Sequence, residues 1–346
     1  MHVRERMAGF VNVIWEWYAS HKRTLPWRDL AIADDTERAY RILVSEVMLQ
    51  QTQVERVKVI YRAFLERFST PASLAEASNR DVLFAWRGMG YNRRALRLRD
   101  AAKAIVERFD GVFPQEMIAL RSIKGIGSYT AAAIRNFAFN IPTPCIDTNI
   151  RRILHRTFYG PENPDESFRI GDRQLLRLAG KVLEMACGKG GRDSLCVILS
   201  PSKDESRPPR DAANWHAALM DFGSIIQTKT NPRWHLCPLT RLKLMKTTPQ
   251  VWERRLRMTP SERRRTSKSE PGRIIGGRFV PNRIIRGRIV EELRDEFAGL
   301  SLDALGRRIC IDWSPRHHRA WLRMIVEELI CEQMLRVVED KYQLQT

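Results

Sequence analysis

Nowhere among the 346 residues do eighteen apolar side chains run together, so no helix long enough to cross a bilayer is expected. Cysteine is sparse and scattered. Cys145, Cys187, Cys196, Cys237, Cys310 and Cys331 form no C-x-x-C pair and no dense framework, so reduced, intracellular thiols are expected. The first residues, MHVRERMAGFVNVIWEWYASHKR, are too aromatic and too evenly charged for a secretory signal. Phe10, Ile14, Trp17 and Tyr18 recur there at helical spacing, which predicts an amphipathic helix. Acidic residues are in deficit: 40 Asp and Glu stand against 59 Lys and Arg, a formal charge of +19 with a pI near 10.2. Such an excess favours a polyanionic partner through counterion release. A merely soluble basic protein remains the plainer alternative.

Sustained period-two alternation is also missing from residues 36–137. Helical patterns follow one another there at 40–50, 53–68, 71–77, 79–87, 93–109 and 115–122, so this part reads as all-α. Helices are expected again at 151–159, 172–186 and 212–226. Between the last two, residues 188–211 (GKGGRDSLCVILSPSKDESRPPRD) read as a flexible surface insertion. Residues 247–281, with ERRRTSKSEPGR inside, read as a basic linker. Residues 282–346 predict three helices (282–297, 301–309 and 315–332) and two short strands turning at Glu339 and Asp340. That is the pattern of a winged-helix-like module. Arg316, His317, His318, Arg319 and Arg323 fall on its third helix, where such modules meet DNA. A small protein-contact domain would show the same helices.

Three segments bear chemistry. Ile123, Gly125, Ile126, Gly127, Thr130 and Ala131 follow the helix–hairpin–helix pattern, in which backbone N–H groups and a helix N-terminus approach phosphate without an intervening Cβ. Contact of that kind holds DNA without reading sequence. Glu46 stands among Val44, Val47, Met48 and Leu49, where a carboxylate is costly unless paired or protonated. A capping or salt-bridging acid is the plain alternative. Gln50 and Gln53, four and seven residues on, extend a polar stripe suited to receiving a heterocycle. Asp147 precedes a helix carrying Asn149, Arg151 and Arg152, so it reads at least as an N-cap. Two acids in contrasting surroundings are the usual arrangement for breaking a glycosidic bond.

From about residue 15 to residue 239 the chain resembles the adenine DNA glycosylase branch of the helix–hairpin–helix glycosylases. The resemblance rests on TLPWR at 24–28, SEVMLQQTQV at 45–54, GMGY at 88–91, IKGIGSYTA at 123–131, IDTN at 146–149 and ALMDFG at 218–223. It implies an all-α, two-lobed helix–hairpin–helix DNA glycosylase fold, with one lobe at 31–140 and the other at 1–30 plus 141–246. It implies that Glu46 protonates N7 of a flipped adenine and that Asp147 stabilises the oxocarbenium ion, with Tyr129 and Asn149 hydrogen-bonding around that site. Gln51 and Tyr91 match positions that wedge into the duplex and contact the opposite base, with Gln50 and Thr52 beside them. Trp27, Arg28 and Leu49 match pocket-lining positions, which Asp221 joins, while Lys124, Gly125 and Gly127 match the hairpin's phosphate grip.

Relatives with strand-cleaving activity carry a lysine where this chain has Tyr129, so a monofunctional enzyme is expected. Most relatives hold an iron–sulfur cluster on four cysteines. Here those positions read Gln227, Trp234, Cys237 and Lys243, so no cluster and no other cofactor is expected. The Nudix-like C-terminal domain typical of the family has no counterpart, which leaves the preference for 8-oxoguanine:A over G:A open. The expected partner is double-stranded DNA containing a mispaired adenine, met by a monomer in the cytoplasm at the nucleoid. Two other readings stay in view. One is a G:T or G:U mismatch pyrimidine glycosylase; the other is a non-catalytic winged-helix DNA-binding protein.

Overall fold

The computed structural model describes residues 2–188, 208–256 and 270–346. The remainder of the surface insertion expected at 188–211, and part of the basic linker, lie outside the described residues. In chain order the helices are α1 (Val3–His21), α2 (Asp35–Leu49), α3 (Val54–Arg67), α4 (Pro71–Glu76), α5 (Asn79–Ala85) and α6 (Arg93–Phe109). They continue with α7 (Met117–Ser122), α8 (Ser128–Phe137), α9 (Thr148–Phe158), α10 (Asp172–Cys187), α11 (Ala212–Ile225), α12 (Pro238–Arg241) and α13 (Pro249–Leu256). The C-terminal part adds β1 (Gly272–Ile275), β2 (Arg278–Pro281), α14 (Asn282–Arg294), α15 (Leu302–Ile309), α16 (Pro315–Cys331), β3 (Leu335–Val338) and β4 (Lys341–Leu344). No described helix is long and apolar enough to cross a membrane.

Short polar side chains start the helices where the sequence offers them. Asp34 accepts the Glu37 N–H ahead of α2 at 2.6 Å, Asp147 accepts the Ile150 N–H ahead of α9, and Asp211 accepts the Asn214 N–H ahead of α11. The chain forms two units, Met1–Arg28 with Gly127–Thr266 and Asp29–Ile126 with Ser267–Thr346. Helix α8 therefore belongs with the first unit, although the sequence groups it with residues 31–140.

The first unit is built on the N-terminal helix. Phe10, Ile14, Trp17 and Tyr18 of α1 are all buried, and they pack with Trp215 and Phe222 of α11, Ile153 and Leu154 of α9 and Val182 of α10. Aromatic edges set the packing: the Trp17 ring meets Phe222 at 5.0 Å and 82°. The second unit has a core of Tyr40, Leu43, Val44, Met48, Tyr61, Phe64, Leu83 and Trp86 from α2, α3, α5 and the residue that follows it.

Residues 247–281, expected as a linker, contain α13 and the β1–β2 hairpin, whose register pairs Ile275 with Arg278. Gly276 and Gly277 turn that hairpin at φ of 56° and 75°, the left-handed pair that a two-residue turn requires. The signal lies in GRIIGGRFVP as Gly-Gly flanked by short β-branched and aromatic runs. Downstream, α14, α15 and α16 pack around Ile285, Ile289, Leu293, Leu305, Leu322, Ile325 and Leu329. The β3–β4 hairpin closes the module, and Leu300 bridges antiparallel to Tyr342 as a minimal third strand. This is the arrangement of a winged helix.

Candidate active site

Helix α2 takes Glu46 into the core of the second unit. Residues 42–48 are all buried, and Glu46 is 8% exposed. The expected polar stripe of Glu46, Gln50 and Gln53 does not form on one helix. Helix α2 ends at Leu49, Gln50 is its exposed C-terminal cap, and Gln53 already starts α3. The helix stops because Gln50 is extended, at φ −60° and ψ 111°, and exposed Gln51 completes the turn in a left-handed conformation at φ 55°.

Arg94 holds that turn. Its NH1 donates to the carbonyls of Val47 at 2.9 Å and Met48 at 3.0 Å and also to that of Gln50, while NH2 donates to Thr52 Oγ1 at 2.9 Å. NH2 also reaches the Met89 and Gly90 carbonyls at 3.4 and 3.3 Å, so one guanidinium ties the end of α2 to the residue 88–91 turn. A cation on the last carbonyls of a helix also suits its dipole. Burial pulls the Arg94 pKa down to about 10, which leaves it charged at neutral pH. Gly88 and Gly90 take φ of 83° and 67° in this turn, and Tyr91 follows at φ 47°, nearly half exposed, with the Arg94 guanidinium 5.5 Å from its ring. Sequence reading missed Arg94, an arginine four residues past Gly90 on an otherwise basic helix; only its burial marks it.

The hairpin carries the chain from α7 to α8. Gly125 needs its left-handed φ of 101°, and a Cβ there would stand 3.4 Å from the Arg97 carbonyl oxygen. Gly127 is different: its φ is −81°, so no left-handed conformation calls for glycine there. It caps α8 with open space where a Cβ would be, which fits close approach of a ligand rather than a strained turn. Lys124 is exposed, and Tyr129 lies half-buried in the first turn of α8.

In the first unit the segment before α9 is not a strand but is pinned by side chains. Buried Asn136 donates from Nδ2 to the Thr143 carbonyl at 2.8 Å and accepts the Thr143 N–H at 2.9 Å. Asp147 then caps α9. One carboxylate oxygen accepts the Ile150 N–H at 2.6 Å and the other accepts Asn149 Nδ2 at 2.8 Å. Asn149 in turn accepts from Arg152 NH2 at 2.9 Å, and Arg152 Nε donates to the Gln227 carbonyl at 3.0 Å. Burial pushes the Asp147 carboxyl above the ordinary aspartate range; the Ile150 N–H, the Asn149 side chain and Arg152 pull it back only in part. Arg152 is a second residue that sequence reading left as generic basic charge.

Asp221, expected beside the pocket-lining positions, is fully buried with both oxygens engaged inside the protein. Arg23 Nε and Arg28 NH1 each reach it at 2.7 Å, and the Arg23 N–H reaches it at 3.1 Å. It is therefore an internal anchor for the segment carrying Arg28 and buried Trp27, with no oxygen left for a ligand.

The four positions that hold an iron–sulfur cluster in relatives do not fit one here. Gln227 is fully buried, with Nε2 3.4 Å from Cys237 Sγ and 3.7 Å from Met245 Sδ. Cys237 Sγ lies 3.7 Å from Met245 Sδ, Trp234 stacks edge-on to Trp252, and Lys243 is exposed at φ 54°. A cluster needs four thiolates, and this donor set offers one. Among the described residues no group of three or more His, Cys, Asp or Glu is arranged to hold a metal ion. Arg156, fully buried, clasps the loop instead. It pairs with Glu162 at 2.9 Å, donates to Gln227 Oε1 at 3.2 Å and the Thr228 carbonyl at 2.9 Å, and faces the Trp252 ring at 4.2 Å.

Residues 44–171 match the model of the HhH-GPD superfamily base excision DNA repair proteins. The adenine DNA glycosylase of Mycolicibacterium smegmatis is 35% identical over 227 residues, 66% of this chain and 66% of that protein. The human adenine DNA glycosylase is 33% identical over 239 residues, 68% of this chain and 39% of that protein. The chain thus spans just under two thirds of the mycobacterial relative and well under half of the human one. Among solved structures, a thermostable thymine-DNA glycosylase superposes with a TM-score of 0.56 at 23% identity, covering 72% of this chain and 98% of that one, which speaks to the fold. With its buried α2 acid, its glycine hairpin and its capped Asp147, the chain belongs to the HhH-GPD superfamily of base excision DNA repair proteins.

Proposed function

We propose that this protein is a monofunctional DNA glycosylase that removes adenine mispaired with 8-oxoguanine or guanine in double-stranded DNA. The observation that carries the reading is the pair of differently housed acids in a chain similar to adenine glycosylases. Glu46 is sunk in an apolar helix, and Asp147 is held by two donors at the head of α9. Glu46 protonates N7 of the extruded adenine, which turns the base into a neutral leaving group. Asp147, as the anion, offsets the charge that develops on the sugar. Asn149 fixes one Asp147 oxygen, and Tyr129 borders the same chemistry.

No lysine occupies the Tyr129 position, so the strand is left intact and abasic. Gln51 and Tyr91, both with left-handed backbones on exposed turns, enter the duplex where the adenine leaves it. Gln50 and Thr52 flank them, while Leu49, Trp27 and Arg28 border the base. The hairpin N–H groups between Lys124 and Gly127 hold phosphate. No cofactor takes part in this reading, since the four cluster positions are Gln227, Trp234, Cys237 and Lys243, one thiolate where four are needed.

The test is a panel of duplexes with A or T opposite G, 8-oxoguanine, C or T, incubated with the full chain and then cleaved with alkali. Adenine release opposite G or 8-oxoguanine supports the reading. Release of T opposite G, with A untouched, replaces it with a mismatch pyrimidine glycosylase. Binding with no release at any site refutes both.

A further inference from the structure

The C-terminal module is clamped to one short segment of the second unit. Arg87 pairs with Asp295 at 2.6 Å, Asn92 accepts from Arg294 at 3.3 Å, and Arg93 pairs with Glu332 at 3.2 Å. Arg283 lies against Tyr91, Asn79 donates to the Gln333 carbonyl at 2.6 Å, and the Arg80 guanidinium sits 3.9 Å from the Phe297 ring. These contacts consume both ends of α14 and the turn after α16. They leave the first half of α16 facing outward.

That outward face is a cationic stripe. Arg316, Arg319, Ala320, Arg323 and Met324 are exposed at helical spacing, while His318, Leu322, Ile325 and Val326 turn to the core. His318 is thereby removed from the five residues expected to face DNA: it accepts the Ser314 N–H at 3.0 Å and stacks on Trp313. Among the described residues, Arg316, Arg323 and the neighbouring exposed Arg307 make no ion pair or side-chain hydrogen bond. Arg319 is bridged to Asp303 at 3.1 Å yet stays half exposed. The acids of α16 lie in its second half, and Glu328 and the residue capping it, Glu332, are already paired with Arg286. The tip of the β3–β4 hairpin is the reverse: Glu339 and Asp340, both exposed, would meet phosphates with like charge.

We propose that the Arg316, Arg319 and Arg323 face of α16, and not the β3–β4 hairpin, is a second contact to duplex DNA, apart from the site of base excision. Charge complementarity selects the occupant. Arg316 and Arg323 stand about 10 Å apart along the helix axis, close to the ~12 Å width of a major groove whose two edges are lined by phosphate. Ala320 between them lets the helix approach. The contact is sequence-neutral to the extent that it is made to phosphate. Because the module is clamped beside Tyr91, it would hold duplex on the same body that presents the Tyr91 turn.

The experiment measures binding of the full chain to an undamaged duplex across a salt series. Each phosphate contact contributes about 0.9 to the slope of log K against log salt. Arg316→Gln combined with Arg323→Gln is expected to lower that slope by about 1.8 and to weaken binding roughly 10- to 100-fold at 0.1 M salt. Excision under saturating enzyme should be unchanged. Arg316→Lys with Arg323→Lys keeps the charges and should keep the slope. An unchanged slope in the glutamine pair, an equal loss in the lysine pair, or the same loss from Lys341→Gln on the hairpin would each overturn the proposal. The inference shares only its polymer with the proposed function. A slope change in a protein that releases no adenine would sink that function and leave this surface standing.

Discussion

Replacing Asp147 by Asn separates what this carboxylate does for the reaction from what it costs the fold. Asn caps a helix as well as Asp, so the bond to the Ile150 N–H at 2.6 Å survives. The bond from Asn149 Nδ2, at 2.8 Å, is turned into donor facing donor, worth roughly 1–3 kcal/mol against the variant unless Asn149 rotates. That penalty does not vary with pH. The charge does. The folded-state pKa of Asp147 is raised, chiefly by burial, so as pH rises the unfolded chain loses this proton before the native one. The favourable contribution of Asp147 is therefore complete below its unfolded value, near 3.9, and is lost as pH climbs through the folded value. Above that, the buried anion is a net cost.

Thermal unfolding of both proteins from pH 4 to pH 8 should thus show the variant gaining on the parent as pH rises, then levelling. The gain is about 1.4 kcal/mol for each pH unit by which the folded value exceeds the unfolded one. For a unit of this size that is roughly 2–4 °C in Tm per kcal/mol. Over the same range single-turnover adenine release should fall by at least about 10²–10³-fold, the usual consequence of losing a preorganised charge. A variant Tm that keeps a constant offset from the parent's, or falls further behind it as pH rises, or near-normal turnover, would refute the assignment of Asp147 as a destabilised anion kept for catalysis.

Further outcomes follow from neighbouring geometry. Glu162→Ala leaves the Arg156 guanidinium buried and unpaired, so it should cost about 3–5 kcal/mol, read as a lowered Tm; a loss under 1 kcal/mol would contradict the clasp. Gly223→Ala puts a Cβ 2.7 Å from Asn149 Cβ and 3.2 Å from its Cα, so α9 must move. Overpacking should cost about 1–3 kcal/mol, with excision falling by about 100-fold from misplaced Asp147. Unchanged excision with a lowered Tm would mean that α9 yields elsewhere. Tyr129→Lys should permit a borohydride-trapped covalent complex with duplex DNA, visible as a gel shift, whereas the parent protein should give none.

How much of this was legible in the sequence depends on whether a residue's meaning is local. Helix α9 and its cap could be read directly, because Asp before a periodic apolar run declares both its position and its bond. Helix α1 was equally plain, since four aromatic and aliphatic side chains at helical spacing have one face to bury. The polar stripe from Glu46 to Gln53 misled because periodicity alone cannot show a helix ending: Leu49, Gln50 and Gln51 all suit a helix, yet Gln50 is extended and Gln51 left-handed. Arg94, Arg152 and Arg156 were invisible for a different reason. In a chain with 59 basic residues an arginine reads as surface charge, yet these three are buried and hold carbonyls from segments far away in sequence. Asp221 looked like a pocket acid for the same reason, its partners Arg23 and Arg28 lying almost two hundred residues upstream.

Those buried arginines also fasten the loop at the four positions where the family resemblance places cluster ligands, only one of which is a cysteine here. Arg156 takes the side chain of Gln227 and the carbonyls of Thr228 and Lys229, gathering the loop that a metal cluster would otherwise tie. Arg152, one turn earlier on α9, takes the carbonyl of the same Gln227 and hands its other donors to Asn149, which holds Asp147. Loop and carboxylate are thus fastened to adjacent turns of a single helix. A disturbance of the substituted loop therefore reaches Asp147 through two hydrogen-bonded side chains. A change at Gln227 that spares its backbone, such as Gln227→Ala, should strain the Arg156 clasp while leaving the Arg152 bond intact, whereas a shift of its carbonyl should disturb both.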